Sequence, residues 1–335
     1  MRIAVDAVGG DHGPEVIIDG VVAGARRFGV GLLLAGPEDE VRRSLAKVDT
    51  AGLDIEVRDA PDLIAMDESP AQAVRRKPRY GIAVALEAVR SGAAGGMVSA
   101  GNSGAVMASA LVQLGRIPGV DRPAIASPLP SVRGYSLVLD LGAVTDPRPQ
   151  SLVQFAQMGA VYAERVMGIA HPTVGLLSNG EEATKGNALV QEAHALLAAA
   201  PGINFHGNVE GRDIPRGVVD VVVTDGFTGN VALKIAEGAA SLVAEVIREE
   251  LTASLVTKLA AAVLRPAFAR AKKRIDYAET GGALLLGTNG VVVIAHGRSN
   301  VVAMENAIGV ASRACQSQIT EAIAAALRDL RNAAA

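Results

Sequence analysis

Short apolar runs alternate with longer helical patterns along almost the whole chain, and this alternation limits the folds it can adopt. The run at residues 219–223 is apolar at all positions but one, which is typical of a strand buried on both faces of a parallel sheet. Amphipathic patterns such as 103–114 and 150–166 lie between such runs. The chain is therefore predicted to form an α/β fold, a mostly parallel sheet with helices on both faces. The candidate strands are 3–6, 32–35, 55–57, 96–99, 125–126, 136–139, 174–177, 203–205, 219–223 and 291–295.

Residues 246–277 interrupt the alternation, because they contain no strand-like run. They are predicted to form two helices that meet at Arg265 and Pro266, since proline disfavours helix at the preceding residue. A stripe at i, i+4 and i+8 gives the first helix an apolar face: Leu255, Leu259 and Val263. The second helix is basic: Arg265, Arg270, Lys272, Lys273 and Arg274. Such a pair is typical of a segment that binds an anionic membrane or an acidic partner, and the alternatives are a dimer interface or a core-facing helix.

Composition narrows the function classes. The chain has 335 residues, a net charge of −3 and 50% hydrophobic residues, so no nucleic-acid partner is expected. A single cysteine, Cys315, excludes an internal disulfide. No secretory signal and no apolar run of roughly 18–20 residues is present, so a cytoplasmic protein is expected. We expect one α/β unit over residues 1–335, with a division into two subdomains around a central cleft as the alternative.

Three glycine-rich loops follow predicted strands and precede predicted helices. Backbone N–H groups at such positions favour anions, so the loops are candidate binding sites. The candidate residues are Gly9, Gly10, Asp11 and His12 in the first loop, Gly101, Asn102, Ser103 and Gly104 in the second, and Asp225, Thr228, Gly229 and Asn230 in the third. The alternative for Asp11 and for the second loop is an ordinary helix N-cap.

Two further segments carry cations. The loop at 178–187 contains Lys185 and Asn187. The ammonium of Lys185 could balance the charge of a phosphate or of a developing oxyanion, and the alternative is an ordinary surface lysine. Arg75 and Arg76 begin a basic run at 75–79, which is either solvated surface or a patch for an acidic substrate or carrier. The dinucleotide-binding, Walker A and G-x-S-x-G motifs are not matched, and the histidines are scattered, so neither a metal nor a cofactor is predicted.

The chain resembles the PlsX family of bacterial phosphate acyltransferases from end to end. The resemblance rests on MRIAVDA at 1–7, GGDH at 9–12, AVRRK at 73–77, SAGNSGA at 99–105, GRI at 115–117, GVDRPA at 119–124, KGN at 185–187, VVTDGFTGNV at 222–231, KLAAAVL at 258–264 and AHG at 295–297. Arg298 and Asn300 stand where relatives more often have Ser and Asp, so the loop after His296 is given no catalytic role.

The resemblance implies a reaction: acyl-[acyl carrier protein] and inorganic phosphate give acyl phosphate and free carrier protein, for use by a membrane acyltransferase that acylates glycerol 3-phosphate. It implies a fold similar to the isocitrate/isopropylmalate dehydrogenase group, with a protruding helical hairpin, in a homodimer that touches the membrane peripherally around 255–263. We then expect the glycine-rich loops, with Asp11 and Asn187, to bind phosphate and the acyl group. Lys185, Asn230 and His12 are the expected catalytic residues, and the cations at 75–79 and 265–274 would dock the acidic carrier. A dehydrogenase and a non-catalytic membrane scaffold are the competing classes.

Overall fold

The computed structural model describes residues 1–334, with the side chains of 71, 72, 275, 277 and 330–334 left aside. The strands are β1 (Arg2–Asp6), β2 (Gly31–Gly36), β3 (Ile55–Asp59), β4 (Gly96–Ser99), β5 (Ala124–Ser131), β6 (Gly134–Leu139), β7 (Thr173–Leu177), β8 (Asn204–Val209), β9 (Val221–Val223), β10 (Ala283–Leu286) and β11 (Val291–Ile294). The helices are α1 (Gly13–Phe28), α2 (Glu38–Leu45), α3 (Pro70–Arg76), α4 (Gly81–Arg90), α5 (Ser103–Gln113), α6 (Pro149–Arg165), α7 (Ala188–Ala199), α8 (Gly226–Thr252), α9 (Leu255–Ile275), α10 (Val301–Gln316) and α11 (Ile319–Ala334).

The described strands form one 11-stranded sheet in the order β3-β2-β1-β4-β11-β10-β5-β6-β9-β7-β8. Most neighbours are parallel, and the antiparallel pairs are β11–β10, β10–β5 and β5–β6, which confirms the prediction of a mostly parallel α/β sheet. Side chains alternate between two packed layers: in β1, Ile3 and Val5 join one hydrophobic cluster, and Ala4 joins the other. The sheet is therefore covered on both faces.

The antiparallel pairs, from β11 through β10 and β5 to β6, divide the sheet into two strand groups that run in opposite directions. The first strand group is β3, β2, β1, β4 and β11, and the second is β6, β9, β7 and β8. One row of paired residues passes from Val98 in β4 through Val293 and Leu284 to Ala126 in β5. The β5–β6 register continues this row to Leu139, the last residue of β6. Both groups therefore end close to one row, and the loops that leave their carboxyl ends meet near the centre of the sheet.

Three sequence predictions about elements are wrong or incomplete. The junction between the two predicted helices lies at Ala253 and Ser254, not at Arg265 and Pro266, and α9 continues through Pro266. Ser254 starts α9 with a reciprocal capping box to Thr257, so the signal for the helix boundary lies at Ser254 and not at Pro266.

The helix predicted from 300 to 330 is two helices, α10 and α11, because Gln318 adopts a left-handed conformation with φ of 50°. Strand β10 was not predicted. Its four residues are apolar and have glycines on both sides, so the run is too short to show a period.

Helices α8 and α9 pack against each other and leave most of their side chains exposed beyond residue 241. The apolar stripe of α9 is fully in solvent: Leu255 is 80% exposed, Leu259 72% and Val263 80%. The alternative of a core-facing helix is therefore wrong for this stripe. Among the described residues, no helix has the length and apolar content needed to cross a bilayer.

Candidate active site

The loops that follow β1, β4 and β11 pack against one another, because these strands are neighbours in the first strand group. The backbone N–H of Asp11 donates to the carbonyl of Gly297 at 2.8 Å. The N–H of Ala295 donates to the carbonyl of Ser99 at 2.9 Å. Two of the three predicted glycine-rich loops thus lie side by side, together with the loop of His296.

Asp6, at the end of β1, is a buried carboxylate beneath this group of loops. It accepts a hydrogen bond from the Ser99 hydroxyl at 2.7 Å, and Ser99 Oγ in turn accepts the N–H of Gly101 at 3.0 Å. Burial raises the pKa of Asp6 to about 6, against the opposing effect of hydrogen bonds from Ser99 and the backbone of Val8 and Gly9. The Asp6 carboxylate therefore fixes both loops.

Gly9 has no room for a side chain at this point. A Cβ on Gly9 would lie 2.4 Å from an Asp6 carboxylate oxygen and 2.7 Å from the Gly101 nitrogen. Gly10 has a φ of +98°, which favours glycine. The two glycines allow the first loop to cross closely over the second, so packing within the protein already explains their positions.

The structure favours the N-cap alternative for Asn102. Its Oδ1 accepts the N–H of Ala105 at 3.0 Å, and its Nδ2 donates to the carbonyls of Met66 and Glu68 at 3.0 and 3.1 Å. The amide is buried and already satisfied, so it holds the segment before α3 and is not directed at a ligand. Gly104 is similarly explained, because a Cβ there would lie 2.6 Å from the Pro70 ring. Ser103 is exposed beside them.

Asp140 is the corresponding buried carboxylate of the second strand group, directly after β6. It accepts the backbone N–H groups of Ile125, Gly142, Ala143 and Val144 at 2.6 to 3.1 Å. Burial raises its pKa, and these four hydrogen bonds oppose the rise. The sequence analysis missed both Asp6 and Asp140 as organising residues. The sequence shows only that each aspartate stands at the end of an apolar run, with a glycine two or three residues later, and this pattern is not distinctive.

The third glycine-rich loop and the start of α8 pack on this second turn. Asp225 caps α8 by accepting the N–H of Thr228 at 2.8 Å, and Asn230 Nδ2 donates to the Leu141 carbonyl at 3.0 Å. Gly229 cannot carry a side chain, because its Cβ would lie 1.9 Å from the Asp140 carbonyl oxygen. Thr228 and Asn230 remain exposed, so they are accessible to a ligand at the helix N-terminus.

Lys185 lies in the loop after β7, the strand next to β9. Asn179 Oδ1 accepts the Gly186 N–H at 2.9 Å and so holds the loop closed. Asn187 caps α7 by accepting the Val190 N–H at 3.0 Å, which gives it a structural partner. The stem of Lys185 lies across Gly180, and within the described part of the chain its ammonium makes no hydrogen bond or ion pair.

A contact joins α8, which follows β9 in the second strand group, to the loop after β11 in the first. Lys234, one turn after Asn230 in α8, places Nζ 3.3 Å from Nε2 of His296 and 2.9 Å from a carboxylate oxygen of Glu237. Burial lowers the pKa of His296, and the charge of Lys234 lowers it further. The sequence analysis gave the His296 loop no role, and no local pattern could show a contact between residues 62 positions apart.

The other predicted site residues lie at more than one place. His12 occupies the cap position of α1 with an exposed side chain that makes no capping hydrogen bond. Arg75 and Arg76 are exposed on α3, which packs on α5 near the Asn102 loop. The exposed cations of α9 are a separate group: Arg265, Arg270, Lys272, Lys273 and Arg274. In residues 1–334, no group of three or more His, Cys, Asp or Glu side chains is arranged to hold a metal ion.

The chain is similar to a known protein family over most of its length. The model of the fatty acid synthesis protein family matches residues 1–322. A phosphate acyltransferase of Geobacter sulfurreducens is 49% identical over 324 residues, which is 97% of this chain and 93% of the relative. One from Citrifermentans bemidjiense is 53% identical over 308 residues, 92% and 87% of the two chains.

Solved structures show a similar fold at low identity. A Streptococcus pyogenes phosphotransacetylase superposes with a TM-score of 0.64 at 19% identity over 94% of each chain. A Klebsiella pneumoniae 4-hydroxythreonine-4-phosphate dehydrogenase does so with a TM-score of 0.55 at 15% identity, over 94% of this chain and 98% of the other.

Proposed function

Because the chain belongs to the fatty acid synthesis protein family, whose curated relatives are phosphate acyltransferases, we propose that it moves a fatty acyl group from acyl-[acyl carrier protein] to inorganic phosphate. The products are acyl phosphate and the free carrier thiol. The observation that carries the proposal is that glycine-rich loops from both strand groups leave the sheet near one row of paired residues. This arrangement offers one place for phosphate and an adjoining place for the thioester.

Phosphate needs no protein nucleophile, because at neutral pH it is itself a partly dianionic nucleophile. The protein has to hold it against the thioester carbonyl and stabilise the oxyanion that forms. The exposed hydroxyls of Ser103 and Thr228, together with the backbone around Gly10, are the candidate donors at the starts of α5 and α8. Since the Asn102 amide is satisfied within the protein, phosphate binding there is assigned to the backbone of the loop and the Ser103 hydroxyl.

Lys185 is the candidate for oxyanion stabilisation, since its ammonium has no partner among the described residues and lies at the carboxyl end of β7. Asn230 is the candidate for orienting the acyl carbonyl. One of its two amide hydrogens is directed at Leu141, and the other is available to a ligand. His12, exposed at the start of α1, is the candidate side-chain donor to phosphate.

Two surfaces extend this proposal to partners. Arg75 and Arg76 on α3 lie next to the first group of loops, so they dock the acidic carrier protein, with the α9 cations as a second contact. The α8–α9 pair is a protruding helical hairpin whose exposed apolar stripe contacts an anionic membrane. The protein then works as a cytoplasmic, peripherally membrane-associated homodimer, close to an acyltransferase that consumes acyl phosphate with glycerol 3-phosphate.

The direct test is to incubate the protein with palmitoyl-acyl carrier protein, with and without inorganic phosphate. Release of the carrier thiol should depend on phosphate and should match formation of acyl phosphate. Release without phosphate would indicate a thioesterase. No release from folded protein would contradict the proposal and favour a scaffold. A change in nicotinamide absorbance with a hydroxy-acid substrate would instead favour a dehydrogenase.

A further inference from the structure

The proposed reaction leaves one charge without a partner. When the thioester breaks, the electron pair of the C–S bond remains on sulfur as a thiolate, and neither the phosphate loops nor Lys185 accounts for it. We propose that Lys234 is the catalytic residue that receives this leaving thiolate, and that His296 is its positioning residue. This role rests on the proposed acyl transfer. The contact between them crosses from α8 to the loop after β11.

The position of Lys234 along α8 fits this role. Asn230 and Lys234 are four residues apart and share one face of the helix, with a rise of about 6 Å between them. A phosphate at the N-terminus of α8 attacks the carbonyl from that end. In the tetrahedral intermediate, the attacking oxygen and the sulfur occupy two different corners of the same carbon. They therefore need two separate partners, and Lys234 is the cation one turn further along α8.

The hydrogen bonding of His296 allows the Lys234 ammonium to leave the imidazole and bind a substrate thiolate instead. Two donors face its ring, the Arg298 backbone N–H at 3.2 Å from Nδ1 and the Lys234 ammonium at 3.3 Å from Nε2. A neutral imidazole has one lone pair and can accept only one of them. If Lys234 moves to a thiolate, the imidazole can change tautomer, so that Nε2 carries the proton and Nδ1 accepts the Arg298 N–H. Glu237, 2.9 Å from Nζ, holds the ammonium in the same region throughout.

The charged groups around His296 are consistent with an ammonium at this place. Lys234 and Glu237 face it from α8, Arg298 from its own loop and Asp11 from the loop after β1. In the reaction, a phosphate oxygen forms the O–C bond and the tetrahedral intermediate collapses with loss of the C–S bond. The thiolate accepts a proton from the Lys234 ammonium. The acyl phosphate releases the proton that monohydrogen phosphate brought, and the Lys234 amine regains one through water, so that the protons balance. No other reactant is needed.

The test compares two leaving groups. Lys234→Gln should lower kcat about 10²-fold with acyl-[acyl carrier protein], whose thiol is an alkanethiol. It should have little effect with the S-phenyl thioester of the same fatty acid, because thiophenolate is a much weaker base and needs no proton. His296→Gln, whose amide oxygen can replace Nε2, should retain more activity than His296→Ala. Lys47→Gln removes another lysine paired with a glutamate, at an exposed site, and is the matched control.

Equal losses with both donors, or a higher KM for phosphate alone, would show that Lys234 is a structural contact or a phosphate ligand, and would overturn the inference. If the wild-type protein does not use the phenyl thioester, rescue of Lys234→Ala by methylammonium with the carrier-bound donor decides the question. Rescue supports the inference, and no rescue in a folded variant overturns it. Failure of the proposed function is a separate result, since the wild-type protein would then form no acyl phosphate from either donor.

Discussion

Asp6 gives a prediction whose size follows from the structure. In the unfolded chain its carboxyl has the ordinary pKa of 3.8, and in the folded protein burial raises the pKa to about 6. Below pH 3.8 the group is protonated in both states, so its stabilising contribution is fully present. As the pH rises through about 6, the folded protein must ionise a buried group and this contribution is lost. The difference between the two pKa values corresponds to about 3 kcal/mol.

Replacing Asp6 with Asn removes this titration and leaves the other carboxyl groups in place. The free energy of unfolding of the wild type, minus that of Asp6→Asn, should therefore fall by about 2 kcal/mol between pH 4 and pH 7, since part of the full difference is already lost where the unfolded carboxyl ionises near pH 4. Urea unfolding followed by circular dichroism at each pH gives this difference. Asp39→Asn, at an exposed carboxylate, is the control and should show no comparable trend. A flat difference for Asp6→Asn would refute the reasoning, because it would mean that water reaches the carboxylate.

Three further predictions concern activity and partners. Lys185→Ala should lower kcat about 10²-fold, measured as phosphate-dependent thiol release, while Lys47→Ala should not; near-normal turnover of Lys185→Ala would remove it from the site. Serine at all three positions of the α9 apolar stripe should abolish cosedimentation with phosphatidylglycerol vesicles without lowering Tm, since the stripe is exposed; unchanged binding would contradict the membrane contact. Glutamate at Arg75 and Arg76 should raise KM for acyl-[acyl carrier protein] and leave KM for phosphate unchanged, and an unaltered carrier KM would exclude docking there.

The sequence predicted the elements whose signals are local. Alternating apolar runs and helical patterns identified the α/β class and most strands of the sheet, because a buried strand and its following loop are both visible in a short window. Strand β10 was not predicted, because four apolar residues between glycines are too short a run to show a period. Pro266 suggested a helix boundary, whereas the true boundary carries the S-x-x-T capping box at Ser254.

The sequence identified the loops of the candidate site, but it did not show which of their residues form hydrogen bonds within the protein. Gly9 and Asn102 were selected as ligand-binding residues, and the structure gives each a partner within the protein. Asp6 and Asp140 were passed over because an aspartate at a strand end has no distinctive signature until its backbone donors are known. The Lys234–His296 contact depends on the stagger between the strand groups, and a single sequence contains no measure of that stagger.

The central row of the sheet also constrains when activity can arise during synthesis. β4 and β5 are consecutive in the chain, but β11 and β10, residues 283–294, lie between them in the sheet. The two strand groups cannot take their final places until those late residues have been made and inserted, and closing such long loops is slow. A nascent chain therefore carries all three glycine-rich loops by residue 230 but gains a complete site only after the ribosome has passed residue 294.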